Sequence, residues 1–333
     1  MQDWTDPAWL ASVTAWIEDR LAENGASITG PVEQPHLYFW STALRVPTSS
    51  GVMWCKAMHP DGAFEARLAP DLAAGHPDVL AAVVAADPDR GWLLTRDAGV
   101  RLRDAEEFSV RRWCDVLARY AQLQLDLAPH ASGQLALGVP DLRPASLPEL
   151  LRAAVDSPLL QAGGVAELDP PTTAAVDRAL PVFDALCAQL ADSPVPVSLQ
   201  HDDLHDGNVF VDGPRLTFLD WGDACLTHPF HTLTVTTRSL AHRHSLPPGG
   251  PEITRLVDAY LEPWTAVTDR PTLLADADAA RRTGVVQRAL SWFRLVAAMP
   301  DHVAREHGDT VPYGLRLFLL DAPYGAWDDG TVD

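Results

Sequence analysis

Apolar residues recur at helical spacing over 7–24, where Trp9, Leu10, Val13, Trp16, Ile17 and Leu21 line one face. Asp6 offers an N-cap before Pro7, and Gly25 stands just past the end, so the pattern has a chemical start and stop. The period then changes. Strands are predicted over 36–40, 43–46 and 52–58, the last two joined by a turn at 47–51. A helix over 62–74 and strands over 79–86 and 91–95 follow. Beyond Gly99 helical spacing dominates, over 106–127, 147–155, 172–190 and nearly all of 230–320 apart from a Pro/Gly break at 247–251. Three short β-like pieces interrupt it, at 195–199, 209–211 and 216–219. The order predicts an α+β chain in two parts. A small β-rich lobe over 1–97 carries the first helix, an antiparallel sheet and one further helix. A larger, mainly helical lobe fills 98–333.

Composition is compatible with both lobes. The 333 residues are 47% hydrophobic and 21% charged, enough apolar material for sizeable cores. The formal net charge of −20 argues against a nucleic-acid partner, which needs clustered Lys and Arg. The acidic excess is spread along the chain in proportion to length, so most of it solvates the surface, leaving only a general attraction for a cationic small molecule. Cys55, Cys114, Cys187 and Cys225 lie far apart, as in a reduced intracellular protein. The start, Met1 to Asp6, lacks the basic and apolar regions of a secretory signal. No apolar run reaches the roughly 18–20 residues of a membrane span. The expectation is a cytoplasmic monomer or homodimer with no membrane partner, ending in a frayed acidic tail over 327–333.

The chemistry concentrates in Gln200-His201-Asp202-Asp203-Leu204-His205-Asp206-Gly207-Asn208, a polar loop between two short apolar strands. Another acid, Asp220, ends the next β-like run in Leu219-Asp220-Trp221-Gly222-Asp223. Phosphoryl transfer needs an acceptor for a hydroxyl proton, oxygen ligands for Mg²⁺ and a cation on the nucleotide phosphates. The spacing supplies Asp203 as the base, with Asn208 and Asp220 for the metal. Lys56 is the only lysine, every other basic residue being arginine. A coding bias toward arginine explains the rest, and one surviving compact ammonium on a strand suits a phosphate contact.

These residues resemble the aminoglycoside phosphotransferase and choline kinase-like family, relatives of protein kinases, whose loop reads H-x-D-x-x-x-x-N. Here that motif is His201, Asp203, Leu204, His205, Gly207 and Asn208, and the family's later I-D-W is Leu219-Asp220-Trp221. The resemblance covers most of the chain. It implies a bilobal protein-kinase-like fold, with nucleotide bound by the first lobe and acceptor by the second. It also implies Mg²⁺ with ATP or GTP as phosphate donor. It places Lys56 on the third strand and gives it Glu65 as partner. The glycine-rich loop of protein kinases is missing, and Ser41 and Thr42 are the residues the resemblance offers to the phosphates in its stead; a plain β-turn is the alternative. Arg96 and Ala98 are the expected backbone contacts of the base at the hinge.

Other residues carry two readings. Asp202 and Asp206 either hold a substrate amine or hydroxyl or are solvated loop acids. Asp223 supports the metal site or the acceptor, or caps the next segment. Trp292 lines a substrate pocket or belongs to a core. The histidines of the loop read as structural. The expected activity is ATP- or GTP-dependent phosphorylation of a hydroxyl on a small molecule, an aminoglycoside-type or other cationic antibiotic by preference. Kinases of an amino sugar, a choline-like alcohol or an amino-acid hydroxyl share every residue named. A metal-dependent hydrolase using His201, Asp203, His205 and Asp206 is a distant third, because it leaves Lys56 and Asn208 without a role.

Overall fold

The computed structural model describes residues 3–327; residues 1, 2 and 328–333, hence most of the expected acidic tail, lie outside the described residues. The chain forms two compact units, the first made of residues up to Ala105 together with Asp206–Gly222, the second of Glu106–His205 and the residues from Asp223 onward. In chain order the first unit contains α1 (Pro7–Glu23), β1 (Glu33–Leu37), β2 (Ser41–Thr48), β3 (Gly51–Met58), α2 (Glu65–Gly75), β4 (Val83–Asp87), β5 (Trp92–Arg96), β6 (Val100–Arg101) and α3 (Leu102–Ala105). The second opens with α4 (Val110–Leu127), α5 (Ala131–Ala136), α6 (Leu147–Val155), α7 (Pro170–Ala191) and β7 (Ser198–Gln200). The chain then supplies β8 (Val209–Asp212) and β9 (Arg215–Phe218) to the first unit. It ends in the second with β10 (Cys225–Thr227), α8 (Thr232–His244), α9 (Pro251–Leu261), α10 (Arg270–Ala298), α11 (Asp301–His307) and α12 (Thr310–Leu319).

In the first unit an antiparallel sheet is ordered β1-β2-β3-β5-β4. The Asp6 carboxylate accepts from the Ala8 N–H at 2.9 Å and starts α1 where expected. One face of α1, with Val13, Trp16, Ile17 and Leu21, packs on Leu44, Val46, Met53, Cys55 and Leu94 from the sheet. Strand alternation turns Lys56 to the opposite face from Cys55 and Ala57. Its backbone is centred by pairing with Ala43 on one side and Leu93 on the other.

A second, small sheet joins β6, β8 and β9. It explains why the first unit runs past residue 97: Val100 pairs with Val211 and Arg101 with Phe210. Gly99, at φ +100°, makes the approach possible, since a Cβ there would lie 2.3 Å from the Val211 carbonyl oxygen.

The second unit packs α6, α7, α10 and α12 around Leu147, Leu151, Phe183, Val286, Leu315 and Phe318. The helix predicted from residue 106 begins at Val110, because the Ser109 hydroxyl caps the Arg112 N–H. The strand predicted over 195–199 is displaced to Ser198–Gln200 by Pro194 and Pro196 and pairs antiparallel with β10. Among the described residues no helix is long and apolar enough to cross a membrane.

Candidate active site

In the first unit three residues far apart in sequence converge. The Lys56 ammonium on β3 donates to Glu65 Oε2 at 2.5 Å and to Asp220 Oδ1 at 2.5 Å. Glu65 opens α2 and is 2% exposed; its other oxygen accepts from the Trp221 N–H at 2.9 Å. Burial works against the charge on Lys56, but Asp220 and then Glu65 outweigh it and hold the ammonium above its ordinary value. Asp220 has φ +70°, a left-handed conformation uncommon outside glycine, and this turn carries the chain from Leu219 to Trp221. Gly222 keeps the cluster open. A Cβ there would lie 3.1 Å from Glu65 Oε2, 3.3 Å from Lys56 Nζ and 3.7 Å from Asp220 Oδ1.

Asn208 belongs to the same unit. The β8–β9 register pairs Val209 with Phe218, and the Asn208 carbonyl accepts from the Leu219 N–H at 3.0 Å. Asn208 and Asp220 thus sit at one end of one hairpin. Asp206 is 2% exposed, and its carboxylate lies 4.0 Å from Arg103 Nη1 while its carbonyl accepts from the Arg103 N–H. That arrangement anchors α3. Thr42 is 1% exposed and donates to the His36 carbonyl at 2.7 Å. The plain β-turn that stands as the alternative for Ser41 and Thr42 is instead the start of β2, since these two residues pair with Met58 and Ala57. The Arg96 N–H donates to the Ala82 carbonyl, which leaves Ala98 as the hinge candidate with an uncommitted role.

The second unit holds the other half of the loop. The His201 N–H donates to the Tyr120 hydroxyl at 2.8 Å, and its ring Nδ1 accepts from the Asp203 N–H at 3.3 Å, so this fully buried histidine shapes the loop. Asp202, at φ +62°, is buried and engaged: it accepts from Ser291 Oγ at 2.5 Å, Gln287 Nε2 at 3.1 Å and Gln200 Nε2 at 3.1 Å. Asp203 lies 3.4 Å from His205 Nε2 and 3.4 Å from Arg288 Nη2 and keeps 31% of its side chain exposed.

Arg288 is the residue that sequence reasoning missed. From α10 it reaches Asp223 at 2.9 Å, Asp202 at 3.3 Å and Asp203 at 3.4 Å, with a side chain only 9% exposed. Burial alone would raise the Asp203 carboxyl. The hydrogen bond from His205 and the Arg288 charge reverse that and hold it well below the usual carboxylate range. Asp223 goes the other way: burial raises it, and Arg288 offsets this only in part against the neighbouring Asp203 and Asp202. Trp292 packs on the rim of the helical core, stacked on His307 at 5.8 Å with the Arg288 guanidinium 5.6 Å over its ring.

A model of the phosphotransferase enzyme family, APH, matches residues 55–267, a span that contains Lys56, Glu65, the 201–208 loop, Asp220 and Asp223. The chain belongs to that family. It is therefore a phosphotransferase with an alcohol group as acceptor. No curated protein matches its sequence. Solved structures match it over nearly its whole length. The GDP and kanamycin complex of APH(2")-IIia is 16% identical, with a TM-score of 0.57, 93% of this chain and 98% of that one being covered. An ethanolamine kinase from Plasmodium vivax is 12% identical at a TM-score of 0.65, covering 95% and 89%. A macrolide 2'-phosphotransferase type I is 13% identical at 0.55, covering 95% and 99%. At these identities the likeness concerns the fold, a kinase-like one with a β-rich part and a larger helical part.

Proposed function

We propose that this phosphotransferase moves the γ-phosphoryl group of ATP or GTP onto a hydroxyl of a small molecule, the first unit binding the nucleotide and the second the acceptor. The observation that carries the reading is the Lys56–Glu65 and Lys56–Asp220 pairing, a cation of fixed position between a buried carboxylate and a more exposed one. Lys56 supplies positive charge to the donor phosphates, and Glu65 keeps it in place. Ser41 and Ala98 remain the candidates for phosphate and hinge contacts, since Thr42 and the Arg96 N–H are committed elsewhere.

Asn208 and Asp220 offer an amide and a carboxylate oxygen, donors suited to Mg²⁺, which keeps several waters and needs few protein ligands. Held there, Mg²⁺ would supply positive charge against the negative charge that develops on the donor phosphates. Asp203, ionised and partly exposed, takes the proton of the acceptor hydroxyl, while His205 and Arg288 orient its carboxylate.

For the acceptor, an aminoglycoside-type or other cationic molecule is one class and a small metabolite the other. Two carboxylates of the loop, Asp202 and Asp203, and the nearby Asp223 are negative, but Arg288 stands among them. A polycation would meet that guanidinium too, which favours the metabolite. The test is ATP and GTP consumption over aminoglycosides, amino sugars, choline-like alcohols and hydroxy amino acids, with Asp203→Ala as control. Acceptor-dependent turnover retained in the folded Asp203→Ala protein would overturn the mechanism.

A further inference from the structure

The helical unit contains a small, partly open recess walled by α8, α10, α12 and the segment 322–326. Thr234, Thr237 and Arg238 line it from α8, Arg281 and Val285 from α10, and Tyr324 from the C-terminal segment. Two polar groups on this wall lack what their surroundings normally supply.

The first is Arg238. It is half-buried, and among the described residues no carboxylate forms an ion pair with it. Its guanidinium carbon stands 5.5 Å from the centre of the Tyr313 ring, which gives it an aromatic face in place of a counter-charge. The arginines of α10 differ. Arg281 pairs with Asp278 and Asp321, Arg282 with Asp321, and Arg288 with Asp202, Asp203 and Asp223. The chain has 45 acidic side chains against 25 basic ones, yet this guanidinium is supported only by the Tyr313 side chain and the more distant charge of Asp203, without an ion pair among the described residues.

The second is Thr234. It is 6% exposed, and its buried hydroxyl has no hydrogen-bond partner among the described residues. Its close seating against α10 depends on Gly284, where a Cβ would lie 2.3 Å from Thr234 Oγ1. Thr237 shows what satisfaction looks like one turn on, donating to the Leu233 carbonyl at 2.6 Å and accepting from the Gly325 N–H at 3.1 Å. The same helix also supports the catalytic loop, because Thr236 Oγ1 donates to the Leu204 carbonyl at 2.8 Å.

A fork of N–H donors beside a buried hydroxyl is the complement of a small oxyanion. We propose that Arg238 and Thr234 bind a carboxylate or phosphate group in this recess. Carried on the acceptor alcohol, that group would make the recess the specificity-determining part of the acceptor site, a step that rests on the phosphotransfer reading. Free in solution, it would be an anion ligand of the helical unit.

Thermal unfolding of the full-length, nucleotide-free chain against inorganic phosphate tests the site. Phosphate is expected to raise the wild-type Tm. The rise should vanish in Arg238→Gln and shrink in Thr234→Val. It should also shrink in Arg238→Lys, which keeps the charge but loses the fork. An equal rise in wild type and Arg238→Gln, or none in wild type, overturns the proposal. The source is read from ATP consumption with matched alcohols, serine against ethanolamine and glycerate against glycerol. A preference of tenfold or more for the acid-bearing member, lost in Arg238→Gln, puts the oxyanion on the acceptor. A phosphate response without that preference assigns the recess to a free anion. A phosphate response in a chain that turns over no alcohol keeps the site and removes the phosphotransfer reading.

Discussion

Lys56 and Asp220 meet at 2.5 Å although 164 positions separate them in sequence. Lys56 also touches the buried Glu65, which in turn is fixed by the Trp221 N–H, the residue after Asp220. Cation, acid and backbone form one closed arrangement, and its members should not act independently.

Lys56→Ala should lower kcat for phosphoryl transfer by roughly 10²–10³, the order seen when a preorganised charge is removed from a transition state. Glu65→Ala should approach the same loss, because the ammonium would no longer be held. The double variant should lose little more than either single one. Additive losses in a kinetic double-mutant cycle would contradict the pairing.

Gly222→Ala should reduce activity far more than it reduces stability. The added methyl would stand 3.1 Å from Glu65 Oε2 and 3.3 Å from Lys56 Nζ, so the charged cluster must shift by a few tenths of an ångström. Paired measurement of kcat and Tm checks this: a Tm within a few degrees of wild type and a clear drop in kcat are expected.

Arg288→Gln removes the positive charge that three aspartates share. Asp203 is held low by His205 and Arg288, so losing the guanidinium raises its pKa and moves the acid limb of the pH–rate profile to higher pH. Stability should fall by about 3–5 kcal/mol, the usual result of leaving buried charges without their partner. A profile identical to wild type would remove Arg288 from the positioning of the base.

His231 is fully buried between the Thr227 and Thr283 hydroxyls, each at 2.9 Å, and burial pushes its pKa down to about 3. Between that value and the ordinary histidine value of 6.5 the unfolded chain binds a proton that the folded chain refuses. Stability should therefore be fully present above pH ~6.5 and decline as pH falls toward ~3. Urea unfolding at several pH values would show it. His231→Gln should start less stable at neutral pH and lose less on acidification.

The parts of this fold and site legible in sequence were those written in local signals. The helix cap at Asp6 and the strand alternation around Lys56 both stand in the structure, and the lone lysine and the loop spacing from His201 to Asn208 are read directly from the sequence. What stayed hidden depends on tertiary packing. Arg288 lies 85 residues beyond Asp203, and only the docking of α10 brings them together. One signal was available: Gln287, Arg288 and Ser291 put three polar groups on a helix stretch whose other buried residues are apolar, and all three turn to Asp202. The commitments of Thr42 and of the Arg96 N–H were equally invisible, because they follow from pairing register.

The first unit is not one stretch of chain: it stops at Ala105 and is completed by Asp206–Gly222. Exchange of the N-terminal segment alone between two such enzymes would therefore carry Lys56 and Glu65 across but leave their partner Asp220, with Asn208, behind in the recipient. A chimera intended to change donor preference needs two crossovers, and a single-junction library samples mostly mismatched halves. The same discontinuity sets an order on synthesis. The sheet that pairs Val100 with Val211 cannot close until the ribosome has delivered Glu106–His205, so the lysine waits for its second acid while much of the helical unit is being made.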